Sequence, residues 1–259
     1  MSISTNSLFH YTSSIDNLFN ILNKGFYPSY CKENILAKEF SSSFAVPIVS
    51  FCDIPLSQVK EHTEKYGTYA IGLTLDWARR NRLNPVQYLD VNSNLGEGIA
   101  KILGFIYLDW SSLIQDDKIF DEFYQGPYQG ALSILKSIKN YSGILERKNG
   151  KKINTKFYDE REWRYGPVIK VDDADYYIDI FFEGKFELMQ ERFTAKPHFK
   201  KYCLTFDCFD IKYILIDNAK EIPRVIKYLK SQTHLFKNEE EYQLMLTRIL
   251  TIEQIREDF

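Results

Sequence analysis

Apolar and polar positions at the start of the chain predict a strand followed directly by a helix. Residues 8–12, L-F-H-Y-T, form a short apolar run that ends in polar positions, as a strand end does. From Ile15 to Leu22 the apolar side chains recur at helical spacing, after a serine pair suited to an N-cap and before the stop signal Gly25. The junction of the two elements places His10 where the N-terminus of a helix can meet a ligand.

The rest of the chain shows strand and helix patterns in irregular order. Short apolar or alternating runs predict strands over residues 46–51, 68–75, 84–91, 156–171, 175–182, 202–206 and 211–217. Helical spacing predicts helices over residues 57–66, 75–82, 96–115, 130–140, 222–229 and 239–255. Residues 27–40 are predicted to form an irregular loop. Because strands and helices do not alternate strictly, the order favours an α+β fold over a doubly wound sheet.

Length and composition indicate a single domain, residues 1–259, with one sizeable core. Apolar residues make up 44% of the chain and aromatic residues 15%, with 19 phenylalanines and 18 tyrosines. This favours a sheet-rich core packed with aromatic rings. Residues 94–150 are mostly helical in pattern, and we interpret them as a helical insertion or subdomain.

Charge, cysteines and the N-terminus narrow the function classes. The net charge of −2 gives no general basic field of the kind that nucleic-acid binders show. Binding of nucleic acid through a local basic patch stays an alternative. The basic segment 146–156 is either a solvated hairpin tip or a patch that meets phosphates. Four cysteines without a C-x-x-C pair predict reduced thiols and no metal site. Without a signal peptide or a membrane-length apolar run, we expect a cytoplasmic protein and no membrane partner.

Polar and aromatic residues gather in three clusters near predicted strand ends, and these are the candidate sites of chemistry. The clusters are His10, Tyr11 and Thr12; then Ser50, Phe51, Cys52 and Asp53 with the later Tyr66; and finally residues 160–165, E-R-E-W-R-Y. In the last cluster, strand alternation puts Glu162 and Arg164 on one face, where the guanidinium would hold the carboxylate ionised and oriented. Spacing alone leaves open whether that pair lines a cleft or is a surface ion pair. It also leaves open whether His10 handles a ligand or packs in the core.

An ordered series of short motifs resembles a known family. The series is F-H-Y-T, P-I-V-S-F-C-D-I-P-L, H-T-E-K-Y-G-T-Y-A-I-G-L, N-P-V-Q-Y, E-W-R-Y and D-I-K-Y-I-L-I, between about residues 8 and 217. It resembles the AbiGi family of bacterial abortive-infection, phage-resistance proteins, whose members are labelled antitoxins. The resemblance implies a role in anti-phage defence, with a cognate toxin or antitoxin protein as partner.

The opening H-Y-T followed by L-x-x-I-L-x-x-G also resembles the start of ADP-ribosyltransferase-like folds. That resemblance implies an α+β, ADP-ribosyltransferase-like fold, with a split mixed or antiparallel sheet, flanking helices and a helical insertion at 94–150. In that superfamily a His or Arg on the first strand binds the ribose of NAD, and an aromatic residue or Ser on a second strand supports the nicotinamide. A later strand supplies a catalytic Glu.

Carried onto this chain, the resemblance gives each candidate residue a role. Glu162 is the catalytic residue, and Arg164 orients its carboxylate or binds pyrophosphate. NAD is bound by His10, Tyr11 and Thr12. The candidates for the nicotinamide site are Ser50, Phe51, Tyr66 and Tyr30. Breaking the bond between nicotinamide and ribose builds positive charge on the ribose. A fixed carboxylate stabilises that charge and can orient or deprotonate the acceptor.

The function expected from this resemblance is that of an NAD-dependent ADP-ribosyltransferase, a toxin-like effector in anti-phage defence. NAD is then its substrate, and a nucleic acid or a protein is the acceptor. The alternative is a non-catalytic antitoxin or partner-binding subunit of a toxin–antitoxin or abortive-infection system. A third interpretation, an RNA 2′-phosphotransferase-like enzyme, needs several arginines around a phosphate. Arg161 and Arg164 flank Glu162, but the sequence has no arginine near His10.

Overall fold

The chain forms a mixed α+β structure, described by a computed structural model for residues 5–38, 40–108, 113–146, 150, 152–169, 181–182 and 200–258. Its strands are β1 (Ser7–Thr12), β2 (Ser29–Ala37), β3 (Phe40–Cys52), β4 (Tyr69–Thr74), β5 (Asn84–Pro85), β6 (Gln87–Leu89), β7 (Ile138–Asn140), β8 (Ser142–Glu146), β9 (Lys152–Lys156), β10 (Glu162–Tyr165), β11 (Phe181–Phe182), β12 (Ile211–Ile216) and β13 (Ile249–Thr251). Its helices are α1 (Ile15–Lys24), α2 (Val59–Tyr66), α3 (Leu75–Arg80), α4 (Asn94–Ile106), α5 (Asp117–Phe123), α6 (Gln129–Lys136), α7 (Ile222–Ser231), α8 (Glu239–Leu246) and α9 (Ile252–Asp258).

One nine-stranded sheet makes neighbours of the strands that carry the candidate residues. The order is β13-β12-β4-β1-β3-β10-β5, and β2 and β11 pair with β3 off this path. β12 and β13 run parallel, whereas β1, β3, β4 and β10 pair antiparallel with their neighbours. Residues 49–52 at the end of the long strand β3 pair with β10, with Arg164 opposite Ser50, and residues 40–48 pair with β2. The predicted α+β structure with a mixed sheet and flanking helices is confirmed.

Apolar side chains divide between the two faces of the sheet by strand alternation. On β1, Leu8 packs into a core formed with α1, α3 and α7, whereas Phe9 packs into a core that includes α2 and α9. A further core joins β2 and the N-terminal half of β3 to α4 and α6. Strand β3 contributes to all three cores: Phe51 belongs to the core of Leu8, Cys52 belongs to the core of Phe9, and Ile48 belongs to the core with α4 and α6. The C-terminal half of β3 therefore lies where the cores meet.

The predicted loop at residues 27–40 is wrong, because it contains strand β2 and the start of β3. Polar side chains dominate the first half of β2, and the buried apolar residues of the strand are Ile35 and Ala37. Pairing with β3 along the whole length of β2 supplies the backbone hydrogen bonds that hold it as a strand. This pairing carries Glu33 next to β3, where local pattern gives no reason to expect it.

Backbone pairing also overrides two helical patterns. The predicted helix 239–255 is interrupted by β13, which pairs in parallel with β12, so the segment consists of α8, β13 and α9. The predicted helix 130–140 ends with α6 and continues as β7, which pairs with β6. In both cases three residues find strand partners that are distant in sequence, which helical spacing cannot reveal.

The predicted strand 156–171 is longer than the observed one, because Phe157–Glu160 forms a 3-10 turn and the strand that follows is β10. Parts of several predicted elements lie outside the described residues: 109–112 of the helix 96–115, 147–149 and 151 of the basic segment, and 170–171 and 175–180 of two strands. The division of the chain into one domain with an insertion at 94–150 stays a prediction. No helix in the described ranges has the length and apolar content of a membrane span.

Candidate functional site

Three adjacent strands carry the main candidate residues to one place. His10 lies on β1, Ser50 on β3 and Glu162 on β10. Nδ1 of His10 is 2.8 Å from the carbonyl oxygen of Ser50. The Ser50 hydroxyl donates to Oε1 of Glu162 at 2.6 Å. The strand order β1-β3-β10 therefore connects residues that are far apart in the sequence through one serine.

These residues line a cavity of about 310 Å³. Its walls include the rings of Tyr11, Phe51 and Tyr66 as well as the carboxylates of Glu160 and Glu162. We call it the carboxylate cavity. Its volume lies at the low end of the range for small-molecule sites, about 300–1,000 Å³. It is large enough for one ring or sugar, with charged groups along one wall.

Both carboxylate oxygens of Glu162 are hydrogen-bonded. Arg164 donates from Nε to Oε1 at 2.7 Å and from Nη2 to Oε2 at 3.0 Å, and Lys139 donates to Oε2 at 3.0 Å. Burial opposes ionisation, but the charges of Arg164 and Lys139, with hydrogen bonds from Arg164 and Ser50, outweigh it and lower the pKa of Glu162 to about 2. Glu162 is therefore an ionised carboxylate in a fixed orientation.

Arg164 supports Glu162 from inside the protein. Its side chain is buried, and Nη2 also donates to Oε1 of Glu33 at 2.6 Å. Nη1 donates to the carbonyl oxygens of Lys136 and Ile138 at 3.2 and 3.4 Å. Burial opposes its charge, but Glu33 and Glu162 outweigh burial and raise the pKa of Arg164. With Glu162 7% and Arg164 3% exposed, the surface ion-pair interpretation is wrong.

A lysine bridges two carboxylates on the cavity wall. Nζ of Lys139 donates to Oε2 of Glu160 at 2.7 Å as well as to Glu162. Burial acts to lower the pKa of Lys139, but Glu162, Glu160 and Glu33 outweigh it and raise that pKa. The Tyr66 hydroxyl donates to Oε1 of Glu160 at 2.7 Å, and the Tyr66 side chain is 38% exposed. Burial and the Glu160 carboxylate raise the pKa of Tyr66, so its hydroxyl stays protonated.

His10 combines packing with access to two cavities. Its ring packs edge-on against Phe26, with centroids 5.0 Å apart, and is tilted against Phe51 at 5.5 Å. Burial lowers the pKa of His10 despite the opposing bond to Ser50, so the ring is neutral at pH 7. A carbonyl oxygen can only accept, so Nδ1 carries the proton and Nε2 is the acceptor. His10 also lines a second cavity of about 660 Å³ beside Asn17, Asn20, Lys24 and Lys200, here called the α1 cavity.

The remaining candidates fall in different surroundings. Phe51 is buried in the core and forms a wall of the carboxylate cavity. Tyr11 also lines it, and its hydroxyl is buried without a hydrogen-bond partner among the described residues. Thr12 pairs with Tyr69 at the end of β1. Neither Thr12 nor Arg164 belongs to the described residues that line the carboxylate cavity.

Several residues of the site were not predicted from the local sequence pattern. Glu33 lies in the segment predicted as a loop, and Lys139 lies in a segment predicted as a helix. Glu160 belonged to the quoted E-R-E-W-R-Y cluster but had no role, although its two-residue spacing from Glu162 was a usable signal. Tyr88, whose hydroxyl accepts the backbone N–H of Glu162 at 2.9 Å, belonged to the quoted N-P-V-Q-Y motif but had no predicted role in the site.

Cysteine and metal chemistry does not enter the described site. Cys31 and Cys52 line the carboxylate cavity as free thiols, and burial raises the pKa of each. Thiols with raised pKa are poor nucleophiles and poor metal ligands at pH 7. Across the part of the chain that the structure describes, no group of three or more His, Cys, Asp or Glu residues is arranged to hold a metal ion.

Comparison with known proteins identifies the family. Residues 24–217 match the family model described as "Putative abortive phage resistance protein AbiGi, antitoxin". The chain belongs to the AbiGi family. It is 28% identical over 255 residues to "Abortive phage resistance protein AbiGi" of Lactococcus lactis subsp. cremoris, covering 90% of this chain and 99% of that protein. No solved structure matches the chain. The family match includes Ser50 and Glu162, while His10 precedes it.

Proposed function

We propose that this AbiGi-family protein acts in anti-phage defence as an NAD-dependent ADP-ribosyltransferase with an ADP-ribosyltransferase-like fold. NAD is its substrate, and the carboxylate cavity is its active site. One observation carries the proposal: an ionised, oriented Glu162 faces a cavity that His10 shares, with Ser50 hydrogen-bonded to both. Cleavage of a nicotinamide–ribose bond builds positive charge on the ribose, which the Glu162 carboxylate can stabilise, and His10 and Ser50 match the other roles that the resemblance implies.

Electrostatic stabilisation is the role that suits Glu162. As nicotinamide leaves, positive charge develops on the ribose, and a pre-oriented carboxylate stabilises it without reorganisation. A carboxylate with a pKa of about 2 is a weak base, so Glu162 acts through its charge and not as the group that takes the acceptor's proton. Lys139 shares Oε2 of Glu162, so a cationic ribose competes with Lys139 for that oxygen.

The two cavities support a ligand with two parts. They share His10, whose acceptor Nε2 can take a hydrogen bond from a ribose hydroxyl. The nicotinamide ribose is assigned to the carboxylate cavity, with Phe51 and Tyr11 as aromatic walls. The ADP part is assigned to the α1 cavity, where Lys24 and Lys200 suit a pyrophosphate. Arg164 then orients Glu162, since its guanidinium is engaged inside the protein.

Label transfer from NAD tests this proposal. Wild-type protein is incubated with labelled NAD and bacterial RNA, DNA or lysate protein, and both label transfer and nicotinamide release are followed. Glu162→Gln keeps the shape of the side chain but removes its charge, and we expect at least a 100-fold loss of rate, the scale for losing one electrostatic stabiliser (roughly 10²–10³). Glu240→Gln, at an exposed site on α8, is the matched control and keeps wild-type activity.

Folding and NAD binding are checked alongside activity. Circular dichroism in the assay buffer establishes that each variant is folded, and calorimetry measures NAD binding by the wild type. Wild-type protein that neither binds NAD nor releases nicotinamide with any acceptor would contradict the proposal. Equal activity in Glu162→Gln and Glu240→Gln would contradict the role of Glu162.

The alternative is a non-catalytic antitoxin that binds a cognate toxin protein. The family description, which includes the word antitoxin, favours it. The bridge of Lys139 between Glu160 and Glu162 also suits it, because the ammonium occupies carboxylate oxygens that catalysis would use. Toxicity on expressing this chain alone, abolished by Glu162→Gln, would count against the antitoxin role. Co-purification of a toxin partner without NAD binding would support it.

A further inference from the structure

Two exposed tyrosines stack near the candidate site and have no part in the chemistry above. Tyr141 and Tyr158 are 39% and 49% exposed, and their rings lie 5.3 Å apart at an interplanar angle of 28°. Nζ of Lys156 lies 5.4 Å from the centre of the Tyr141 ring and 5.7 Å from that of Tyr158. We call these three residues the tyrosine platform. Exposed, stacked rings beside an ammonium offer both a surface for flat ring systems and a positive charge.

Short contacts connect the platform to Glu162. Tyr158 belongs to the 3-10 turn that leads into β10, and its backbone N–H donates to the carbonyl of Tyr141 at 3.2 Å. The ring of Tyr88 meets Tyr158 edge-on at 5.3 Å, and its hydroxyl accepts the backbone N–H of Glu162. Tyr88 therefore contacts both the platform and the backbone of Glu162, the proposed catalytic residue.

Lysine and arginine are frequent in the sequence next to the platform. Residues 146–156 contain five lysines or arginines and one glutamate, in a chain whose net charge is −2. β8 and β9 form an antiparallel hairpin from residues 142–146 and 152–156, and the basic residues of the segment that the structure describes, Lys152 and Lys156, are the first and last residues of β9. Lys156 pairs with the exposed Asp159 at 3.2 Å. An exposed pair of this kind is easily exchanged for another anion, so Lys156 remains accessible to phosphate.

We propose that the tyrosine platform and the lysines of β9 bind single-stranded nucleic acid and present it to Glu162 as the acceptor. This rests on the proposed function and deepens it, because it names the acceptor class. Unpaired bases stack on exposed aromatic rings whatever their sequence, and phosphates pair with lysines along the strand. A duplex keeps its base faces inside, out of reach of Tyr141 and Tyr158. Protein interfaces are depleted in lysine, so the platform with Lys156 beside it fits a protein partner less well.

Fluorescence anisotropy with labelled single-stranded RNA and DNA tests the platform, using the full chain without NAD. Tyr158→Leu keeps an apolar side chain but removes the ring. We expect it to raise the Kd about 5- to 150-fold, the range for losing one stacked base. Lys156→Gln is expected to reduce the slope of log affinity against log salt by about 0.7, the value for one lost phosphate contact on a single strand.

Matched variants separate the platform from general surface effects. Tyr158→Phe keeps the ring and is expected to bind like wild type. Tyr107→Leu, at a 48% exposed tyrosine directly after α4, and Lys227→Gln, on α7, are also expected to leave the Kd unchanged. Equal loss in Tyr107→Leu and Tyr158→Leu, tighter binding of a duplex, or no binding of single strands at low salt would each overturn the proposal.

The binding assay is independent of the transferase assay. A chain that binds no nucleic acid but transfers label from NAD to a protein, in a Glu162-dependent manner, would reject the platform and leave the proposed function standing. A chain that binds single strands through Tyr158 but does not bind NAD would confirm the platform as a nucleic-acid site and reject its role in presenting an acceptor.

Discussion

At the scale of single residues, Glu162 shows how a buried carboxylate stays ionised. It is 7% exposed, yet Arg164, Lys139 and Ser50 give it two cations and several hydrogen bonds. An isolated charge in that position would be protonated or expelled. The same contacts that stabilise the ionised form also hold its orientation, so charge and geometry at this site have one physical origin.

Stability should therefore depend on pH through Glu162. Its pKa is about 2 in the folded protein against an ordinary value of 4.5, so its contribution of about 3 kcal/mol is complete above pH 4.5 and is lost as pH falls towards 2. We expect the difference in unfolding free energy between wild type and Glu162→Gln to shrink over that window. Urea unfolding of both proteins at several pH values measures it, and a difference that stays constant with pH would contradict the assignment.

At the scale of elements, close backbone approaches fix where helices and strands end near the site. Helix α2 ends at Gly67, whose φ of +111° is unfavourable for side chains with a Cβ. A Cβ there would lie 2.2 Å from the carbonyl oxygen of Thr12 and 2.6 Å from Cα of Ser13. This glycine therefore lets α2, which carries Tyr66, pack directly against the end of β1, which carries His10.

Substitution of this glycine should be costly. We expect Gly67→Ala to lower the free energy of unfolding by about 2 kcal/mol or more, because the new methyl meets backbone in a strained conformation. Gly130→Ala on α6 is the control, since a Cβ there meets nothing within 4 Å. It should raise stability by roughly 0.5–1 kcal/mol through helix propensity. Chemical denaturation measures both, and similar values for the two variants would show that the approach at Gly67 is not restrictive.

At the scale of the whole molecule, Arg164 joins the large sheet to the segment around β7. It contacts Glu162 on its own strand, Glu33 on β2, and the carbonyls of Lys136 at the end of α6 and Ile138 at the start of β7. Buried ion pairs of this kind add little net stability when complete, but losing one partner leaves the others uncompensated. The site wall and the attachment of α6 and β7 to the large sheet therefore depend on the same guanidinium.

Removing that guanidinium should loosen several elements together. We expect Arg164→Met to lower the free energy of unfolding by about 3–5 kcal/mol and to speed hydrogen exchange in β2 and β7 as well as in β10. Arg80→Met, which breaks the more exposed pair with Asp210, is the control and should change stability by about 1 kcal/mol or less. Faster exchange confined to β10 would show that Arg164 does not join these elements.

Elements that are stabilised within one segment could be predicted from the sequence, whereas elements that depend on pairing with distant segments could not. The first strand and α1 were predictable because the apolar spacing, the Ser14 cap and Gly25 act within one segment, and the structure has all three. Strands β2 and β13 were not, because their hydrogen bonds come from β3 and β12. The candidate site divides in the same way, since His10, Ser50 and Glu162 lie in recognisable motifs, whereas Lys139 has no local signal.

The sequence by itself determined the AbiGi family, the α+β class and the short motifs that carry His10, Ser50 and Glu162, because motif order and local periodicity are written along the chain. The tertiary structure alone decided that these residues share one cavity, because strand order in the sheet depends on pairing between distant segments. It alone decided that Glu162 is buried yet ionised. That state depends on Lys139 and Arg164 meeting it in space, and the energy of a buried charge is set by its three-dimensional surroundings.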